Sequence, residues 1–550
     1  MAFANELRRW FRPAWRMNHH LFNALISAFM TLAYNAPFYK ALWQVDAPNS
    51  VRGVLFTVNI SLLVGGLTFL VLTLISLPRL NKPIAIFLFF TGAAVSYFMQ
   101  TYGIVFDSSM MQNTMSTDPA EAGALFSPQL LAYLLVLGVI PTLVVLRIKP
   151  TFPRFKRELW QRPALMVGVL AVLVGLLFSM SQDYASFFRN HKEVRQKVIP
   201  MSYLYAAGAY AFKEPTGPII AKPYGTDAKQ VLTHRDKPTL TVLVVGETGR
   251  ADHFGLNGYR RETTPKLAAM KDELVNFEQF TSCGTNTAVS VPCMFSAYHR
   301  DDYDTRKGLA QEGLLDVLNH AGVDVIWRDN NSGCYGACDR VGETDMRHWK
   351  DPEHCNDREC FDLVMLDKLK EALPADNKDV FIVLHQHGSH GPDYYHRYPS
   401  AFKVYTPECE TNQLQNCSSE ALINTYDNTM RYTDTFLAGV IDWLKQENGD
   451  YNTAMVYLAD HGESLGENGI YLHGMPYMLA PIEQKHVPMF YWLSQGFTAT
   501  YGINQSCMRD KTKEPFSQDN LFSTMLGMLK IQTSVYESKD DMFHGCATGS

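Results

Sequence analysis

The sequence predicts a chain in two parts, an N-terminal five-helix transmembrane domain followed by a C-terminal α/β domain with a largely parallel sheet. Three observations predict it. Five apolar stretches crowd the first 190 residues, at 20–45, 53–77, 84–106, 129–148 and 164–182. All ten cysteines lie between Cys283 and Cys546. From residue 238 onward, short apolar runs alternate with helical patterns. At 550 residues the chain also exceeds what one hydrophobic core organises.

Each apolar stretch is near the roughly 20 residues a helix needs to cross a bilayer. "GVLFTVNISLLVGGLTFLVLTLIS" and "ALMVGVLAVLVGLLFSM" carry no Asp, Glu, Lys or Arg. Five such helices in a soluble protein would have no polar face to turn to water. Basic residues set the orientation: "LRRWFRPAWR", "PRLNK" and "RIKPTFPRFKRELWQR" are Lys/Arg-rich, whereas "DSSMMQNTMSTDPAEAGALFS" has no cation. Starting inside and alternating five times places everything after about residue 183 outside the cytoplasm. A cleaved signal peptide does not fit the first stretch, which is long and is followed at once by another.

The cysteines agree with that placement, since an even set confined to the exported half reads as disulfides. Spacing suggests Cys283 with Cys293, Cys334 with Cys338, Cys355 with Cys360 and Cys409 with Cys417, leaving Cys507 for Cys546, although spacing alone leaves connectivity open. A zinc ribbon from Cys334, Cys338, Cys355 and Cys360 is the alternative use of four of them. Between the halves, "DYASFFRNHKEVRQKVIPMSYLYAAGAYAF" interleaves aromatics with cations, as a helix lying along the membrane surface would. Pro215, Pro218 and Pro223 then mark a linker. The expected divisions are 1–183, 184–237 and 238–550.

"TLTVLVVGE", "VDVIWRDN", "DVFIVLHQHG" and "TAMVYLADHG" are the apolar runs expected of strands covered on both faces. Their ends are polar: Glu247, then Asn330 and Asn331, then His385, His387 and His390, then Asp460 and His461. Ligands bind beyond the carboxyl ends of strands in open α/β sheets, so these groups converge on one crevice. Glu247, Asp460 and His461 offer two carboxylates and an imidazole, a set that suits zinc and that manganese tolerates. A nucleophilic hydroxyl belongs beside them, and "TSCGTNTAVSVPCMFS" offers Thr285, Thr287 and Ser290. If Thr287 opens a helix whose first turn takes Pro292, its backbone N–H groups also suit a phosphate.

The runs "VVGETGRADHFGLNGYRRETTP", "SCGTNTAVSVPCMFS", "HGSHGPDYYHRYP", "NTYDNT" and "LADHGESLGENGIYLHG" resemble the lipid A phosphoethanolamine transferases, the group that includes the mobile colistin-resistance enzymes. The likeness runs the whole chain, spans and cysteines included. It implies an alkaline phosphatase/sulfatase-like fold, with the second threonine of C-G-T-x-T, here Thr287, as nucleophile. It places the zinc ligands on Glu247, Thr287, Asp460 and His461, with one tight zinc and room for a second. It puts further histidines, for substrate or a second zinc, on His390 and His473. Some relatives carry a lysine where this chain has Tyr335.

The reaction the resemblance implies is ping-pong. Thr287 attacks phosphatidylethanolamine, diacylglycerol leaves, and a lipid A phosphate takes the phosphoethanolamine, which lowers the surface's attraction for polymyxins and other cationic peptides. The setting implied is the bacterial inner membrane, with a cytoplasmic N-terminus, a periplasmic catalytic domain, a monomeric chain and no nucleic-acid partner. Other readings keep the fold and change the acceptor, to water or to another envelope glycan. The C/S-x-P-x-R setting of sulfatases is missing after Thr287. A transporter is disfavoured because the spans lack midplane ionisable residues.

Overall fold

The computed structural model describes residues 15–45, 50–117, 119–213, 219–232, 235–375 and 378–547. The leading basic segment and part of the linker lie outside them. The chain divides into two compact units, Met1–Met111 with Phe126–Lys213, and Gln112–Leu125 with Glu214–Ser550.

Among the described residues of the first unit four helices are long and apolar enough to cross a bilayer: α3 (Val51–Leu74), α4 (Asn81–Tyr102), α5 (Pro128–Arg147) and α6 (Phe155–Ser179). A bent pair, α1 (His19–Ala33) and α2 (Ala36–Val45), meeting at 53°, passes the same length and composition test as one unit, making five if it is counted as one span. The bend has a cause in the sequence. Pro37 lacks the N–H that would continue α1, yet is tolerated in the first turn of α2. The buried Asn35 amide caps the break, donating to Met30 O at 3.1 Å and to Ile199 O at 2.8 Å.

The single surface helix expected over 184–212 is instead two, α7 (Ser181–Asn190) and α8 (Met201–Lys213), joined by a 3₁₀ turn, Lys192–Lys197. Pro200 is the reason. It supplies no N–H and disfavours helical dihedrals at Ile199, so the helix restarts after it.

The second unit is built on a seven-stranded sheet: β1 (Thr239–Gly246), β2 (Leu274–Phe277), β3 (Asp324–Asp329), β4 (Glu343–Asp345), β5 (Val380–His385), β6 (Asn452–Ala459) and β7 (Met489–Leu493). The order is β2-β7-β6-β1-β5-β3-β4. From β6 to β4 neighbours run parallel, and β7 pairs antiparallel with both β6 and β2. Every residue of β1, β5 and β6 is buried. Their unbroken apolar character follows from burial on two faces. Leu243 and Val245 of β1 enter a core with α9 (Thr287–Met294), α10 (Leu314–His320) and α12 (Leu521–Met528), while Leu240, Val242 and Val244 enter the core beneath α11 (Ser419–Glu447).

All five cysteine pairs form as spacing suggested, and no cysteine is free among the described residues. The zinc ribbon is thereby ruled out, because its four sulfurs are spent in Cys334–Cys338 and Cys355–Cys360.

Candidate active site

Because β6, β1, β5 and β3 are parallel neighbours, their carboxyl ends share one edge of the sheet. Glu247 leaves β1 there, and Asp460 and His461 leave β6. Thr287 arrives from elsewhere, as the first residue of α9. Asn286 caps that helix, its side-chain oxygen accepting from Val289 N at 3.1 Å, and the Cys283–Cys293 disulfide closes the turn. Thr287 Oγ1 donates to Glu247 Oε2 at 3.1 Å and stands 3.3 Å from His461 Nε2. That nitrogen lies 3.3 Å from Asp460 Oδ2 and 3.5 Å from Glu247 Oε1. None of the four residues is more than 5% exposed.

The donor set fits a divalent cation. Glu247 Oε1 and Asp460 Oδ2 are buried and accept no hydrogen bond. His461 Nδ1 faces the Gly462 carbonyl at 2.9 Å, an acceptor only, so the proton sits on Nδ1 and Nε2 presents a lone pair to the cluster. Burial, reinforced by the neighbouring Asp460, pushes the Glu247 carboxyl well up; burial raises Asp460 and drives His461 well down. Two carboxylates and a bare imidazole nitrogen converging in the dry interior are what a cation resolves. The outer contacts hold this aim: Asn331 Nδ2 donates to Glu247 Oε2 at 2.7 Å, and Asp460 Oδ1 accepts from His461 N at 2.7 Å and Thr248 N at 3.2 Å. Thr248 adopts φ 51° to reach it, a left-handed conformation uncommon for a β-branched residue.

The other two hydroxyls are committed elsewhere. Thr285 Oγ1 donates to Met475 O at 2.6 Å, and Ser290 Oγ accepts from Gly284 N at 2.9 Å. Pro292 is the sixth residue of α9, not a first-turn residue as expected. Its missing N–H leaves the Ala288 carbonyl without its helical donor, and Gln112 Nε2 reaches that oxygen at 3.5 Å.

The histidines separate into two groups. His473 stacks toward the cluster, its ring 4.4 Å from that of His461, with His390 5.6 Å beyond it and His387 5.9 Å further. His473 Nδ1 lies 3.1 Å from Glu463 Oε2. Burial drives His387 and His390 well below the usual imidazole range. His385 is different: its Nδ1 is bound to Asp329 Oδ2 at 2.7 Å, and Asp329 raises it. Of the paired asparagines, Asn331 faces the cluster, whereas Asn330 turns to Cys360 O at 3.0 Å and Asp362 Oδ1 at 2.9 Å. Tyr335 hydrogen-bonds Ser332 Oγ at 2.6 Å.

Three residues escaped the sequence reading. Glu463 sits two residues after His461, inside a run already singled out. Asp329 closes β3 just before the asparagine pair. Gln518 had no local signal at all, yet it is 1% exposed and ties the site together. Its Nε2 donates to Ala459 O at 2.9 Å and Asp460 O at 2.8 Å, and its Oε1 accepts from Cys283 N at 2.7 Å.

A buried hydroxyl beside two carboxylates and an imidazole, at the strand ends of such a sheet, defines the alkaline phosphatase/sulfatase class, here joined to a set of apolar helices. Comparison with known proteins narrows the class. The Sulfatase family matches residues 239–531, and the family described as phosphoethanolamine transferase EptA/EptB matches residues 64–214. The chain is 42% identical to phosphoethanolamine transferase EptA of Salmonella typhimurium over 527 residues, covering 95% of this chain and 96% of that one. It is 42% identical to phosphatidylethanolamine transferase Mcr-1 of Escherichia coli, over 85% of this chain and 88% of that one. The solved integral membrane protein lipooligosaccharide phosphoethanolamine transferase A of Neisseria meningitidis superposes with TM-score 0.93 at 37% identity, covering 97% of this chain and 99% of that one. The chain belongs to the phosphoethanolamine transferase family.

Proposed function

We infer that this protein is a zinc-dependent enzyme that moves phosphoethanolamine from phosphatidylethanolamine to a phosphate of lipid A, through an ester on Thr287. One observation carries the choice of nucleophile. Of the three candidate hydroxyls, Thr287 alone directs its hydrogen bonds into the carboxylate–imidazole cluster. The relatives' names support the substrates, since Mcr-1 is a phosphatidylethanolamine transferase and a further relative is a Kdo(2)-lipid A phosphoethanolamine transferase. The orphaned oxygens of Glu247 and Asp460, with His461 Nε2, are the atoms that would hold zinc beside Thr287 Oγ1. When bound, zinc supplies the positive charge that favours the threonine alkoxide and the charge developing on the phosphoryl oxygens.

This chain's residues do the rest. Thr287 Oγ1 forms the new bond to phosphorus, the bond to the diacylglycerol oxygen breaks, and the hydroxyl proton passes first toward Glu247 Oε2, its acceptor at 3.1 Å. His473, its ring fixed through Nδ1 by Glu463, stands beside the cluster to protonate the leaving oxygen, and His390, held neutral by burial, stands 5.6 Å beyond it to hydrogen-bond the substrate. In the second half a lipid A phosphate oxygen attacks the same phosphorus and Thr287 recovers its proton. The basic-residue pattern and the disulfides support a cytoplasmic N-terminus and a catalytic unit in the periplasm.

The test is intact mass of the purified full chain after exposure to phosphatidylethanolamine. One added phosphoethanolamine on the wild type and none on Thr287→Ala is expected, with close to one equivalent of zinc in both. An adduct persisting on Thr287→Ala moves the nucleophile elsewhere, and chase with lipid A against other envelope glycans identifies the acceptor.

A further inference from the structure

The loop that follows His473 is tied at its neck and bare at its tip. Gly474 N donates to Thr285 O at 2.7 Å, and Met475 O accepts from Thr285 Oγ1 at 2.6 Å. Gln484 closes the other side, accepting from Met475 N at 3.2 Å and donating to Ser464 Oγ at 2.8 Å and Leu472 O at 3.0 Å. Glu463 N and Gly462 N then bond the Glu483 and Gln484 carbonyls, at 2.9 and 3.1 Å. The loop is thus pinned on one side to the turn carrying Thr287 and on the other to the strand end carrying His461.

Its tip carries two exposed apolar side chains. Met478 is 86% exposed and Ile482 57% exposed, although burial of either would be favourable. In the same loop Tyr477 anchors its hydroxyl on Ser282 O at 2.9 Å. The Arg300 guanidinium lies 3.8 Å from the centre of the Tyr477 ring and Lys485 Nζ 5.3 Å from it. Acids stand in the same region: Asp301, paired with Arg300 at 2.8 Å, Asp519, which accepts from Arg300 N at 2.8 Å, and Glu483. Exposed aliphatic side chains beside an aromatic ring and cations are the types that enter a lipid headgroup layer.

We propose that the loop 475–485 is a membrane contact, its Met478 and Ile482 side chains entering the headgroup–acyl boundary of a phospholipid bilayer while Arg300 and Lys485 meet lipid phosphates. Because its neck is bonded to the Thr287 turn, contact at the tip sets the height of the nucleophile above the lipids it must reach. This rests on the reading that the donor is a bilayer phospholipid. A soluble protein partner would also cover an apolar tip, but a site whose substrates are lipids needs its entrance at the bilayer.

The test has two arms on the full chain in vesicles of phosphatidylethanolamine and phosphatidylglycerol. A dansyl-bearing amino acid replaces Met478 in one protein and Val404, 50% exposed on the same unit, in another. Blue-shifted emission and quenching by lipids carrying a shallow nitroxide are expected at 478 only. The double variant Met478→Asp, Ile482→Asp is expected to lose about tenfold in kcat/KM toward vesicle lipid while cleaving a water-soluble phosphodiester analogue of the headgroup at the wild-type rate. Equal quenching at 478 and 404 overturns the proposal, as does an equal loss on both substrates. The emission arm needs no turnover, so it stands even if phosphatidylethanolamine proves not to be the donor.

Discussion

Replacing Asp460 by Asn should stabilise the protein when metal is stripped and destabilise it, relative to wild type, when zinc is present. In the stripped protein Glu247 and Asp460 sit fully buried, each with one oxygen lacking any hydrogen bond, and their donor atoms lie within 4.8 Å of each other and of His461. Their folded-state pKa values are raised, so the penalty is absent in acid and grows as pH rises through them. Asn keeps the Oδ1 acceptor used by His461 N and Thr248 N, removes one of the two charges, and turns an amide toward the Glu247 carboxylate. Relief of one such buried repulsion is worth about 2–3 kcal/mol. Zinc works the other way, contributing about 5.5 kcal/mol to wild type at a ten-thousandfold excess over its Kd, and little to a variant lacking a ligand, which leaves wild type ahead by about 2.5–3.5 kcal/mol. For a unit of this size each kcal/mol moves Tm by about 1.5 °C, so the two proteins should exchange rank by roughly 3–5 °C in each direction. Thermal unfolding of the full chain at pH 7, with chelator and with zinc, reads this directly. If Asp460→Asn is the less stable protein under chelation as well, the cluster is not an assembly of mutually repelling ligands and the reasoning fails.

Three further outcomes are expected. Gln518→Leu strands two carbonyls and one N–H in the interior and should cost about 3 kcal/mol, with faster zinc loss to a chelator; unchanged zinc dissociation would reduce Gln518 to a packing residue. Asp434, buried on α11 and accepting from Lys266 N and Leu267 N, has its carboxyl raised from 3.8 to about 6 by burial. The stability it lends in its protonated form is complete below about pH 4 and lost as pH rises through 6, so Asp434→Asn should remove a decline of about 3 kcal/mol between those limits in denaturant titrations; parallel pH profiles would contradict it. Replacing Cys283 and Cys293 together by Ser opens a link of separation 10 and should cost about 3 kcal/mol, with transfer falling further than a stability loss of that size explains, because the link clamps the turn that aims Thr287; wild-type transfer by the folded variant would show that Asn286 capping suffices.

What the sequence determined by itself is what depends on neighbours in the chain. Apolar runs of bilayer length and cysteine pairs 4 to 10 residues apart are local facts, and the membrane helices and four of the five disulfides follow from them. The polar ends of the β1, β3, β5 and β6 runs were legible because a buried parallel strand is a continuous apolar word that stops abruptly. Even Pro37 and Pro200, which bend the first span and break the surface helix, are visible in the sequence, but their effect depended on what Asn35 and Ile199 could bond.

Only the tertiary structure decided which of those groups meet. It chose Thr287 over Thr285 and Ser290 by giving the other two hydroxyls partners, and turned Asn331 inward and Asn330 away. It committed His385 to Asp329 and left His473 against the cluster. Gln518 reaches its partners across 58 and 235 residues of chain, and Asp427 gathers His253, Tyr259 and Arg261 across similar spans. No periodicity encodes such contacts, because a buried polar side chain is placed by whichever unpaired donor or acceptor the packed sheet and helices leave within reach of it.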